Sequence, residues 1–164
     1  MKLTIRLPYS YQNDASVPFF EASPCITVMD ADCGLCAKGA TWIAQSDTAR
    51  DFSIVPLQST LGHALMHHYG LDPSDPLSWL YIEDGVAYTS LDALIRVGKR
   101  LGGKWHVLRL LRSLPPPVQD GLYGMVARNR IRLSGRADLC ASPNPEVQKR
   151  LIRQTQTPGL AAKE

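Results

Sequence analysis

The order of predicted elements indicates an α/β domain built on a four-stranded mixed sheet, and three features of the chain agree on it. Between residues 25 and 101, apolar runs of strand length alternate with stretches of helical spacing. The pair Asp84-Gly85 joins two β-prone runs, which predicts a tight hairpin. The resulting order, β-α-β-α-β-β-α, supplies two parallel strands and an antiparallel hairpin, as such a sheet requires.

Two strand–helix units open this pattern. Residues 25–30 are apolar and rich in branched side chains, and residues 31–47 carry apolar side chains at helical spacing. Residues 52–57 predict a second strand, and residues 59–69 a second helix that Gly70 ends. Strands joined in this way run parallel, with the connecting helix packed on the sheet.

A hairpin and a closing helix complete the sheet. Residues 78–83 and 86–89 flank the Asp-Gly pair and predict two adjacent antiparallel strands. A helix then begins at Ser90 and continues to about Leu101. This order is also that of thioredoxin-like domains.

The C-terminal part of the chain predicts an addition to the sheet. Residues 104–114 and 118–133 have helical spacing and are separated by three prolines, which interrupt any continuous helix. We interpret them as an appended helical hairpin. The chain 1–164 is then one domain, with a core at about 25–101 and an extension at about 104–153.

The composition, 45% hydrophobic and 20% charged, is that of a globular domain and excludes a disordered or fibrous chain. The first twenty residues contain no apolar segment followed by a small-residue cleavage site, so we predict no signal peptide. Charged residues interrupt every apolar run well before the ~20 residues that a membrane span needs. We therefore expect a soluble, cytoplasmic protein with no membrane span.

Charge is distributed unevenly along the chain. Residues 1–95 contain 4 basic and 11 acidic side chains, whereas residues 96–164 contain 14 and 4. Such asymmetry occurs in proteins that bind nucleic acid or membranes, and also where two parts of one domain attract each other. The basic residues are spread among apolar ones, so we favour attraction within the domain and expect no nucleic-acid partner.

Cys33 and Cys36 lie where the first strand passes into the first helix. Cys33 falls at the helix N-terminus, where backbone N–H groups and the helix dipole favour the reactive thiolate. Cys36 lies one turn further on and is placed to resolve a mixed disulfide. Gly34 has no side chain, so a bulky disulfide is expected to approach the Cys33 sulfur.

Two other interpretations of the pair remain open, half of a zinc site and two inert core thiols. Zinc needs about four ligands. The sequence has no second C-x-x-C, so the set would need Cys25, Cys140 or a distant histidine. A pair after a strand in a βαβ pattern favours redox chemistry, with no metal and no cofactor beyond the cysteines.

Carboxylates at Asp30 and Asp32 precede the pair. Their charge raises the pKa of a nearby thiol and so opposes the effect of the helix. We expect Asp32 to be the N-cap of the helix, accepting hydrogen bonds from backbone N–H groups. Asp30, at the end of the strand, is in position to accept the proton of Cys36.

Three residues further along the chain have predicted supporting roles. Pro76 precedes the third strand, where thioredoxin-like sites place a cis-proline, or it only shapes a loop. Arg128 lies on the last long helix, where it meets the acidic corner at Asp30 and Asp32 or stays solvated. Cys140 is either a buried small residue or a third redox thiol.

At these residues the sequence resembles the DCC-type thiol–disulfide oxidoreductase family, a thioredoxin-like group. The most specific match is the D-x-x-C-x-x-C motif from Asp30 to Cys36, and the run at 55–59 agrees in kind. The basic segment 127–136 and Cys140 resemble the C-terminal motif of the family. Ala31 stands where the family commonly has Gly, and Gly34 where Pro is frequent.

The resemblance implies dithiol–disulfide exchange in which Cys33 attacks and Cys36 resolves. The expected partner is a disulfide-containing protein or a low-molecular-weight thiol, and the sequence does not identify the reductant. The alternative function is a non-catalytic thioredoxin-like interaction module whose basic half binds an acidic partner or an anionic surface. Low accessibility of Cys33 would distinguish that alternative.

Overall fold

The structure is a computed structural model that describes residues 3–75 and 79–152. The four strands are β1 (Cys25–Met29), β2 (Phe52–Pro56), β3 (Leu80–Glu83) and β4 (Val86–Tyr88). The α-helices are α1 (Gly34–Ser46), α2 (Thr60–His68), α3 (Ser90–Leu101), α4 (Pro116–Ser134) and α5 (Pro145–Arg150). Two 3-10 segments occupy Ser10–Asn13 and Gly103–Ser113. The predicted fold class is confirmed, a mixed four-stranded sheet with thioredoxin-like order.

The sheet has the strand order β2-β1-β3-β4. β1 pairs in parallel with β2 and antiparallel with β3, so it is an interior strand. The hairpin between β3 and β4 turns on Asp84 and Gly85, whose φ angles are 48° and 81°. Two positive φ angles are what a tight two-residue hairpin requires, and Asp-Gly supplies them readily.

Every residue of β1 is buried, because helices or other segments cover both faces of the sheet at this interior strand, which explains why β1 is apolar except for Thr27. Cys25 and Met29 lie in a core cluster that includes residues of α1, α3 and α5. Ile26 and Val28 lie in a second cluster with residues of α2 and with Tyr11 from the N-terminal segment. The strand therefore contributes to two cores, and the cysteine motif begins directly after its end, at Asp30.

The C-terminal extension differs in detail from the predicted hairpin. Its first segment is the 3-10 helix Gly103–Ser113, which packs on α3, and its second is α4, which packs on α1 and α3. Prolines occupy the first turn of α4, where a missing N–H leaves no hydrogen bond unmade. α5, which the sequence analysis did not predict, packs on α1 and β2. No helix in the described ranges has the length and apolar character needed to cross a membrane.

The acidic first part of the chain and the basic second part are joined by ion pairs in the folded structure. Basic side chains of the second part of the chain pair with acidic side chains of the first, namely Arg96–Glu83, Arg100–Asp51, Arg130–Asp30 and Arg150–Asp47. In the last of these pairs both side chains are less than a tenth exposed. The expected attraction between the two parts of the chain is therefore observed.

Candidate functional site

The cysteine pair lies at the predicted junction of strand and helix. Cys33 is the N-cap residue of α1, with an extended backbone at φ −101° and ψ 120°. Cys36 lies in the first turn, three residues further along the chain. Both cysteines are free thiols. Cysteines three residues apart at the start of a helix need little backbone movement to reach disulfide geometry, so Cys36 is placed to resolve a bond formed by Cys33.

The expectation that Cys33 is open to solvent is wrong. Its relative exposure is 0%, whereas Cys36 is partly buried. A segment from the C-terminal extension, residues 134–139, lies along the motif, and we call it the cover segment. Arg136 of the cover segment pairs with Cys33 as an isolated antiparallel β-bridge.

Three backbone hydrogen bonds join the cover segment to the motif. The N–H groups of Gly34, Ala137 and Leu139 donate to the carbonyl oxygens of Gly135, Asp32 and Ala31, at 3.0, 3.2 and 2.8 Å. The cover segment thus lies beside the motif much as an extended peptide adds to a strand edge. A segment of the same chain therefore lies directly beside Cys33, whose side chain is fully buried.

Gly34 permits this close contact. A Cβ atom at this position would lie 2.2 Å from the carbonyl oxygen of Ser134 and 2.9 Å from that of Gly135. Proline would in addition remove the N–H that donates to Gly135. The sequence predicts that Gly34 leaves room for an incoming substrate. In the structure this space is occupied instead by the backbone of Ser134 and Gly135.

Burial and neighbouring groups change the acidity of the Cys36 thiol. Burial first, and then the neighbouring Cys33, raise the pKa of the Cys36 thiol to about 12, while the charge of Arg130 acts in the opposite direction. A thiol with this pKa is protonated near neutral pH, and the thiolate is the attacking form. Cys36 is therefore a poor nucleophile near neutral pH.

Asp30 is held in place by several hydrogen bonds. Its carboxylate accepts from the guanidinium of Arg130 at 2.7 Å, the side-chain amide of Gln58 at 2.7 Å and the backbone N–H of Asp32 at 3.0 Å. The side chains of Asp30 and Arg130 are only 12% and 16% exposed. The backbone carbonyl oxygen of Asp30 accepts from the N–H of Cys33 at 3.4 Å. This pair ties α4 to the end of β1, directly beside the cysteines.

Comparison with known proteins agrees with this site. A family model, DCC1-like thiol-disulfide oxidoreductase, matches residues 27–136, which include the whole motif and part of the cover segment. The chain belongs to this family. The resemblance drawn from the D-x-x-C-x-x-C motif is thereby confirmed.

Two curated relatives extend the match. The uncharacterized protein YuxK of Bacillus subtilis (strain 168) is 34% identical over 128 residues, covering 77% of this chain and 93% of the relative. The chloroplastic DCC family protein At1g52590 of Arabidopsis thaliana is 31% identical over 123 residues, covering 74% and 72%. No solved structure matches the chain.

Two of the predicted supporting residues are placed differently from expectation. Asp32 does not cap α1, because Cys33 is the N-cap residue and no side chain hydrogen-bonds there. Arg128 does not meet the acidic corner, since it is exposed and its guanidinium lies beside Gly124 of its own helix. Arg130, two positions on, turns about 200° around the helix axis and makes the contact instead.

The remaining predicted residues have mixed outcomes. Cys140 is exposed, so the expectation of a buried small residue is wrong, and its role as a third redox thiol stays a prediction. Pro76 lies outside the described residues. Within residues 3–75 and 79–152, no three His, Cys, Asp or Glu side chains form a group suited to a metal ion.

The sequence interpretation missed Gln58 and Arg130. Both lie in runs that carry the family resemblance, 55–59 and 127–136, so a signal was present. What the sequence did not indicate is that the two side chains meet on one carboxylate.

Proposed function

We propose that this chain catalyses dithiol–disulfide exchange, with Cys33 as the attacking thiol and Cys36 as the resolving thiol. The observation that carries the proposal is the placement of two free cysteines at the start of α1, with Cys33 as the N-cap residue and Cys36 in the first turn. Membership of a thiol–disulfide oxidoreductase family supports it. We further propose a disulfide-containing protein or a small disulfide as substrate, no cofactor beyond the pair, and a reducing compartment such as the cytoplasm.

In the proposed reaction, the Cys33 thiolate attacks one sulfur of the substrate disulfide, and the other sulfur leaves as a thiolate. Cys36 then attacks Cys33, giving up its proton, and the second substrate sulfur is released. Asp30 is the group to which we assign that proton, because its backbone is hydrogen-bonded to Cys33 and its carboxylate is fixed beside the pair by Arg130. Two electrons pass from the pair to the substrate disulfide.

The cover segment must move for this exchange to occur, since Cys33 is fully buried beneath it. Its three backbone hydrogen bonds each contribute about 0.5–1.5 kcal/mol. Local opening against a free energy of a few kcal/mol is common in native proteins. We therefore propose that the rate of exchange depends on how often this segment opens.

The non-catalytic interaction module remains the second candidate, because the burial of Cys33 is the feature that would distinguish it. A trapping experiment separates the two functions. In a Cys140→Ser background, which removes the exposed thiol, the Cys36→Ser variant should form a mixed disulfide with glutathione disulfide at Cys33.

Intact-mass measurement and peptide mapping report the adduct. The matched control is Cys33→Ser, in which Cys36 remains but should react much more slowly because its pKa is raised. Absence of an adduct on Cys33, or equal adduct in the two variants, would support the interaction module.

A further inference from the structure

The C-terminal extension carries most of the large apolar side chains that the structure leaves in water. Within residues 3–75 and 79–152, twelve such side chains are exposed, and eight of them lie in the 3-10 segment Gly103–Ser113 and in α4. Single exposed apolar residues are normal on a protein surface, whereas a concentration of them on one part of the chain marks a site of interaction.

Five of the six exposed large apolar side chains of α4 share one face of the helix. At about 100° per residue, they lie within an arc of about 100° around the helix axis. They are Val118, Leu122, Met125, Val126 and Leu133, each 38–63% exposed. The buried residues of α4, Gly124 and Ala127, lie on the opposite side, and α4 packs on α1 and α3. We call the exposed arc the outer face of α4.

The outer face departs from the usual pattern of a surface helix, whose solvent side is polar. Asn129 lies in the middle of the arc, but its side-chain amide donates to the backbone carbonyl oxygen of Met125 at 2.8 Å. This polar group is therefore hydrogen-bonded within the helix itself. The outer face is thus suited to an apolar environment along about four turns of the helix.

Basic side chains border this face. Arg132 and Arg128 are both exposed and lie about 20° and 60° beyond the edge of the arc at Met125. Residues 103–134 contain six Lys or Arg and one acidic residue, Asp120, which lies on the opposite side of α4. The outer face therefore has a cationic border, and α4 contributes no carboxylate to it.

This combination favours an anionic lipid surface as the occupant. A helix that lies in a membrane interface buries its apolar face at the boundary of headgroups and acyl chains, and arginines at its border reach the lipid phosphates. A second copy of this chain would instead bring two more arginines to the same interface, with no carboxylate from α4 to balance them. Since the structure describes no helix able to cross a membrane, α4 can lie on a bilayer but not span it.

We propose that the outer face of α4 binds the surface of membranes that contain anionic lipids. The sheet and the cysteine pair then remain in water, because they lie on the other side of this helix. Arg130, which contacts Asp30 beside the cysteines, lies outside the arc. Membrane binding is therefore separate from the proposed redox function and can fail without affecting it.

The test measures cosedimentation of the reduced full-length protein with phosphatidylcholine vesicles that contain about 30% phosphatidylglycerol. Binding is expected at about 0.1 M salt, with affinity at least about tenfold lower for vesicles of phosphatidylcholine alone. Raising the salt to about 0.5 M should weaken binding, because it screens the arginine charges.

A pair of matched variants tests the apolar part of the face. Met125→Gln should lower the affinity for anionic vesicles about fivefold, since it removes a side chain that the membrane would bury. Ile131→Gln is the control, because Ile131 is 49% exposed on the same helix but lies opposite the outer face. It should change the affinity by less than about twofold. Leu122→Gln replaces Met125→Gln if circular dichroism shows that the latter does not fold.

A second pair tests the charges. Arg128→Gln combined with Arg132→Gln should weaken binding to anionic vesicles about thirtyfold. The control combines Arg50→Gln with Lys99→Gln, which removes the same charge from exposed positions outside the extension and should have a much smaller effect. Exchange with glutathione disulfide, measured in parallel, should be unchanged in all of these variants.

Three results would overturn the proposal. The first is no binding to anionic vesicles, or equal losses in Met125→Gln and Ile131→Gln. The second is a dimer of the free protein in sedimentation velocity that Met125→Gln dissociates, which would assign the face to a second copy. The third is binding to polyglutamate without binding to vesicles, which would assign it to an acidic protein. Loss of exchange in the wild-type protein would contradict the proposed function instead.

Discussion

Replacing Gly34 by alanine tests the role of the cover segment directly. The new Cβ would lie 2.2 Å from the Ser134 carbonyl oxygen, so the two backbones must separate by about 1 Å to regain ordinary contact. That movement takes the 3.0 Å hydrogen bond from Gly34 to Gly135 beyond bonding distance. Overpacking of this kind destabilises a protein by about 1–3 kcal/mol. For a chain of this size, about 2 kcal/mol lowers Tm by about 4–8 °C.

The same change should make Cys33 more reactive. A cover segment weakened by about 2 kcal/mol is open about 30 times more often, so alkylation of Cys33 by iodoacetamide should accelerate by up to that factor. Peptide mapping at timed intervals measures the rate, and thermal unfolding measures the stability.

Gly39→Ala is the matched control for Gly34→Ala, because it makes the same substitution in the same helix, where the Cβ has room. It should raise stability by up to about 1 kcal/mol and leave Cys33 unchanged. Equal stability of the two variants, with equal Cys33 alkylation, would refute the role given to the cover segment.

Three further predictions concern the same site. Arg130→Ala leaves the mostly buried carboxylate of Asp30 without its cation and should lower the free energy of unfolding in urea by about 1–3 kcal/mol. Arg128 is exposed, so the control Arg128→Ala should change this free energy by less than about 0.5 kcal/mol, and equal effects of the two variants would contradict the pairing. Burial raises the pKa of the Cys36 thiol from 9.0 to about 12 in the folded protein. Above about pH 9 the unfolded chain therefore loses this proton while the folded chain keeps it. The free energy of unfolding should be constant in this respect below about pH 9 and should fall as the pH rises towards 12. Urea unfolding midpoints at several pH values should show a smaller alkaline loss in Cys36→Ser than in the reduced wild type, and identical curves would argue against a buried thiol. Under native reducing conditions a hydrophilic maleimide should label exposed Cys140 before buried Cys33, and mass spectrometry showing the reverse order would contradict the burial of Cys33.

The sequence by itself determined the sheet and the location of the cysteine pair. Each of these depends on neighbours in the chain: apolar runs define strands and helix faces, and Asp84-Gly85 adopts the positive φ angles of a hairpin. The C-x-x-C spacing places both sulfurs in one helical turn whatever surrounds them. Such local patterns carry their structural meaning within a few residues.

The packing of α4 was decided only in the tertiary structure. Apolar side chains occur on more than one side of this helix, and Leu122 and Met125 are among those left exposed. Periodicity alone therefore did not show which face packs against the motif. That ambiguity is why Arg128 was predicted at the acidic corner, where Arg130 lies.

The cover segment is likewise a product of the tertiary structure. Its backbone pairs with residues about a hundred positions earlier, and backbone hydrogen bonds leave no pattern in the side chains that a sequence displays. Gly34 is required for that contact, yet a glycine beside a cysteine equally predicts an open site. Whether the space beside Gly34 holds a substrate or the cover segment depends on how residues distant in the sequence pack together. Only the folded molecule determines this packing, and with it the burial of Cys33.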